Sequence, residues 1–189
     1  MTAYGVDRPT LEEILKEHDG TIVDALMADC PYELYWYDKT VGFTFGFGWS
    51  YVSADGTVKV ELTSFVIRFS VAQGYGSDYV VNGAAATTAA EAADYARQVA
   101  SQQKKGSDYE TLEAYKNWIL DAVDYNDAAA GPTYPGGYGD PWQLIYVFDG
   151  NPNTMVVCEG YAKAFQYLCD LALQEGYLSD ETACYLDMG

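Results

Sequence analysis

The chain has 189 residues, 49% of them hydrophobic and 20% charged, a globular composition that excludes disorder and suits one domain, or a small domain plus part of another. Ten Lys and Arg face 28 Asp and Glu, for a net charge of −18. That balance disfavours nucleic acid and anionic membrane surfaces, which are bound by neutralising their phosphates, and it promotes solubility by repulsion. No stretch reaches the roughly 18–20 consecutive apolar residues of a spanning helix, and no basic-then-apolar leader follows Met1.

In chain order, residues 10–28 read as helical. Thr10 with Glu13 three positions later makes a capping box, and Asp19-Gly20 is expected to split the segment into two helices. Residues 41–53 and 57–71 read as strands: Phe43, Phe45, Phe47 and Trp49 alternate with small or polar residues, and Asp55-Gly56 favours a hairpin turn. The alternation changes phase near Thr63-Ser64, which predicts a bulge. Gly74 to Gly83 reads as a loop around a short strand. From Thr87 the pattern turns helical, capped by Thr87 or Thr88, and Gly106 ends it. Ser107 with Glu110 caps the next helix, whose buried stripe is expected at Tyr109, Leu112, Tyr115, Ile119, Leu120 and Val123. A long loop over 126–140 follows, then a short apolar element from Trp142 to Phe148 and a turn at Asp149-Gly150-Asn151-Pro152. The last helix runs from about Cys158 to Gly176, and Ala183 to Met188 reads as the start of a strand. The stop at Gly189 without a finishing element points to a fragment.

Eighteen Tyr and four Trp offer amphipathic surface for interfaces or sugar stacking, although most are expected simply to fill strand faces. The four cysteines, Cys30, Cys158, Cys169 and Cys184, form no CxxC pair, and the single histidine is His18. No metal and no organic cofactor is therefore expected. A bridge between Cys169 and Cys184 stays open, whereas Cys169 is too far along its helix to pair with Cys158 at about 1.5 Å rise per residue.

The chemistry centres on Val156-Val157-Cys158-Glu159-Gly160-Tyr161. An apolar pair leads straight into a helix, which places Cys158 in the first turn. Helix N-termini favour thiolates, and their unpaired amides can hold an oxyanion, a combination suited to acyl transfer from amides. The alternative is a buried, inert cysteine. Gly160 weakens the helix start, which makes sense if backbone or substrate approaches closely. Glu159 is expected to act as a favourable charge at the helix start. His18, between Glu17 and Asp19, is expected to be a solvated or salt-bridged residue rather than a base.

The string Val157-Cys158-Glu159-Gly160-Tyr161-Ala162-Lys163-Ala164-Phe165, with Leu168-Cys169 after it, resembles the cysteine motif of bacterial transglutaminase-like domains. The upstream run Tyr138-Gly139-Asp140-Pro141-Trp142-Gln143-Leu144-Ile145-Tyr146-Val147-Phe148-Asp149 is similar too. Pro31-Tyr32-Glu33-Leu34-Tyr35-Trp36-Tyr37-Asp38-Lys39-Thr40 resembles the N-terminal region of a cell-surface subset of that family from Gram-positive gut bacteria. The resemblance implies an α+β, papain-like core with the cysteine helix packed on an antiparallel sheet. It divides the chain into an N-terminal helix and hairpin region, 1–85, and the N-terminal half of a transglutaminase-like domain, 86–189. It implies Cys158 as nucleophile, a side chain before it such as Gln143 or Trp142 as an oxyanion donor, a protein or peptide substrate, and export to the cell surface. Trp142 as core and Gln143 as surface is the competing expectation. The histidine and aspartate that complete the family's site come later in its pattern, and no histidine follows Cys158 here. Two functions remain open: acyl transfer through a Cys158 thioester, by crosslinking or by hydrolysis, and a non-catalytic binding or scaffolding module. A homodimer through an open sheet edge is also expected.

Overall fold

The computed structural model describes residues 8–54, 57–77, 80–130 and 145–184. Within them the chain is α+β, with four α-helices, a long antiparallel hairpin, a minor two-strand hairpin and a small parallel strand pair. Helix α1 spans Arg8–Asp29. It is unbroken, contrary to the split expected at Asp19-Gly20: a single interior glycine costs a helix only about 1 kcal/mol, too little to end it. It also starts before Thr10, with Pro9 in its first turn, where a missing N–H is harmless.

Strands β1 (Phe43–Ala54) and β2 (Thr57–Phe69) form the long hairpin. The expected turn residues Asp55 and Gly56 lie outside the described residues. The bulge falls where the phase change put it. Gly48 pairs with Ser64 and Trp49 with Leu62, so Thr63 is the extra residue on β2. Gly48 suits the site, because a Cβ there would crowd the Ser64 and Thr63 hydroxyls and make them turn aside. Phe43, Phe45, Phe47 and Trp49 line one face with Phe65 and Phe69, and Phe47 stacks on Phe65 at 5.5 Å. The first turn of α1 meets this hairpin, with the Arg8 guanidinium 5.3 Å from the Trp49 ring.

Strands β3 (Gly76–Ser77) and β4 (Val80–Val81) form the minor hairpin. They lead to α2 (Gly83–Gln103), which starts four residues before Thr87. Its cap is Asn82, whose side chain accepts from the Ala84 and Ala85 amides at 3.0 and 3.3 Å. Thr87 and Thr88 instead bond back to the carbonyls of Gly83 and Ala84 inside the helix. Helix α3 (Asp108–Ala122) has Ser107 at its cap, as the spacing predicts, with Ser107 Oγ accepting from the Glu110 amide. Its buried face is Thr111, Tyr115, Ile119 and Val123; Tyr109 and Leu120 are exposed, at the margin of the stripe. Strand β5 (Asp124–Tyr125) pairs in parallel with β6 (Met155–Val156). Between them a 3₁₀ turn, Tyr146–Phe148, buries Val147 and Phe148. The long loop expected over 126–140 lies largely outside the described residues, as does most of the strand expected from Ala183.

Helix α4 (Cys158–Gln174) is the centre of the core. Ala85, Ala89, Ala92, Ala96 and Ala100 give α2 a smooth face that packs on α3 and α4. Tyr32, Tyr35, Ala72 and Tyr75 enter the same buried cluster as these helices, so residues on both sides of position 85 share one core. The Tyr32 ring lies 4.5 Å from that of Tyr167 on α4.

Candidate active site

The start of α4 is set by the elements before it. In the turn ahead of β6, Asp149 accepts from the Asn151 amide at 2.8 Å and from the Thr154 hydroxyl at 2.6 Å. β6 then runs beside β5, and the Asn126 amide bonds the Val156 carbonyl at 2.9 Å. Val156 and Val157 are buried and extended, so the chain enters the helix abruptly at Cys158. The N-cap is Val157, whose side chain has no oxygen to offer the first-turn amides.

Cys158 is exposed at this tip and not buried in the core. It borders a groove of about 660 Å³ lined by Lys116, Ile119 and Leu120 of α3, Tyr125 of β5, and Tyr161, Ala162 and Phe165 of α4. The walls are mostly apolar. Tyr161 is fixed by donating to the Val123 carbonyl at 2.8 Å and by stacking on Tyr125. Burial, then Asp124 and Tyr125, raise the Tyr161 pKa, so its hydroxyl stays a neutral donor. Beside Cys158, the groove's ionisable side chains among the described residues are Lys116, Tyr125 and Tyr161, with no carboxylate or imidazole among them.

The neighbouring carboxylate is turned to a structural use. Glu159 sits between two lysines, bonded to Lys39 and, at 2.7 Å, to Lys163. Burial works to raise its pKa, but the positive charges of Lys163 and Lys39 outweigh burial and hold it below the ordinary value. This triad ties the segment after Tyr37 to the first turn of the cysteine helix. Sequence reasoning missed it. The Glu159–Lys163 pair has the i, i+4 spacing that reveals such contacts, whereas Lys39 lies 120 residues away and carries no local signal.

His18 is exposed on α1. The candidate oxyanion donors Trp142 and Gln143 lie outside the described residues. Among the described residues, no group of His, Cys, Asp and Glu has the arrangement of a metal site, and no helix is long and apolar enough to cross a membrane. No family model, curated protein or solved structure matches the chain.

Proposed function

We propose that the chain carries the nucleophile part of a transglutaminase-like cysteine acyl-transfer domain. The observation that carries the reading is an exposed thiol at the first residue of a 17-residue helix, opening on an apolar groove. Cys158 attacks the carbonyl of a glutamine side chain or a peptide bond of a protein substrate. First-turn amides of α4 receive the developing oxyanion. The tetrahedral intermediate collapses by breaking the C–N bond, ammonia or the peptide amine departs with the thiol's proton, and the acyl group of the resulting thioester then passes to an amine or to water. The groove face formed by Tyr161, Ala162 and Phe165 leaves room for the antiparallel sheet that the resemblance sets against the cysteine helix.

The chain has no histidine after Cys158, and its single one, His18, is exposed on α1, so the base that the resemblance calls for is not in place. The chain therefore acylates but turns over poorly. Incubation with an activated p-nitrophenyl ester of a blocked glutamine analogue tests this. The expected product is one acyl group on the tryptic peptide 117–163, released over hours and absent from Cys158→Ser. Acylation spread evenly over the exposed nucleophiles contradicts it.

The missing base also favours a second reading, a non-catalytic cell-surface binding or scaffolding module built on the same fold. Tight binding of a protein ligand that Cys158→Ser leaves unchanged is the outcome that favours it.

A further inference from the structure

We propose that Cys169 and Cys184 form an oxidisable thiol pair, whose disulfide pins the segment after α4 to the core. The pair is separate from Cys158 and does not depend on the acyl-transfer reading.

Three observations place the two thiols together. Cys169 is fully buried in α4, at 0% exposure, and Cys184 packs half-buried against the same core cluster. The segment that delivers Cys184 is anchored: the Ser179 amide and hydroxyl and the Thr182 hydroxyl all donate to the Asp108 carboxylate at the start of α3. Each thiol perturbs the other across the contact between α4 and the segment packed against it. That contact, ahead of burial, raises the Cys169 pKa, and it lowers that of Cys184. The half-exposed sulfur is thus the readier thiolate, and the buried one is the resolving partner.

The oxidant is a low-molecular-weight disulfide, acting by exchange. The Cys184 thiolate attacks one sulfur of the oxidant, forming a mixed disulfide and expelling one thiolate. Cys169 then gives up its proton, attacks the Cys184 sulfur, and displaces the second thiolate. Two chain thiols are oxidised, one small disulfide is reduced to two thiols, and the protons end on those thiols.

The test treats the full chain with oxidised glutathione and follows it by peptide mass and melting. Trypsin leaves both cysteines in the single peptide 164–189, because no Lys or Arg follows Lys163. That peptide should lose two hydrogens and resist alkylation. The melting temperature should rise by roughly 5–10 °C, the effect of closing a loop of about 15 residues in a chain of this size. Cys184→Ser should melt like the reduced chain and show no rise. Glutathione adducts on Cys30 or Cys158 with peptide 164–189 still reduced overturn the proposal, as does a bridged chain that melts no higher.

Discussion

The helical core and the β1–β2 hairpin solve the same burial problem in different ways. Around α4 the side chains are excluded from water: Ala96, Tyr115, Ile145, Leu168 and Cys169 are all at 0% exposure. Tyr115 shows how complete this is. Its hydroxyl donates to the Ala100 carbonyl at 3.0 Å, and burial first, then Cys169 and Tyr177, push its pKa up to about 12. The hairpin instead shields its aromatics chiefly with each other, and Tyr51 and Val66 remain exposed. Cys158 belongs to the first region. It stands at the start of the helix around which the core is built, where a first-turn position is held by the core and the tip still faces solvent.

The largest effect that sharpens this contrast is expected from Phe148→Ala. Phe148 is 1% exposed and stacks on Trp118 at 5.5 Å, so its loss should cost about 3–5 kcal/mol of global stability in urea unfolding. The hairpin counterpart, Phe47→Ala, should cost less than half as much, and equal costs would break the comparison. Next comes Glu159→Gln, which leaves Lys39 and Lys163 facing a neutral amide. It should cost roughly 2–3 kcal/mol, short of a fully buried pair because these side chains keep some exposure. The sign with pH follows from the lowered Glu159 pKa. The triad's stabilisation is present above the ordinary glutamate value of 4.5 and is lost as pH falls through the lower folded value. Melting of the wild type between pH 6 and pH 3 should therefore fall more steeply than that of Glu159→Gln.

A smaller effect is expected from Gly48→Val at the bulge, about 1–2 kcal/mol, with hydrogen exchange quickening in β1 and β2 but not in α4. The smallest is Tyr32→Phe. Its hydroxyl is buried without a hydrogen-bond partner among the described residues, so removal should leave stability unchanged or raise it by up to about 1 kcal/mol. A loss beyond 1 kcal/mol would mean that the hydroxyl has a partner.

Local chemistry was legible in the sequence and long-range contact was not. Alternation marked the hairpin and its change of phase marked the Thr63 bulge. Ser107 announced α3, and the step from Val157 to Cys158 announced α4. The cap of α2 was misplaced: Asn82, with its side-chain oxygen near two free amides, caps the helix, whereas the expected Thr87 and Thr88 turn their hydroxyls back into it. Leu120 fits the apolar periodicity of α3 yet lies open at 57% exposure, because periodicity identifies a face and not which margin of it a neighbour covers. The Lys39–Glu159 contact joins segments 120 residues apart, and the chain sequence holds no local mark of it.

Among the described residues neither strand of the long hairpin has a second partner, so sedimentation at rising concentration should show self-association, and a clean monomer would remove the expected dimer. The central claim concerns Cys158, and the most direct measurement is its alkylation rate by iodoacetamide at pH 6, read on peptide 117–163. An activated thiol at the tip of α4 should react at least about 10-fold faster than an unstructured peptide thiol under the same conditions. A rate equal to or below that of the free peptide would contradict the account.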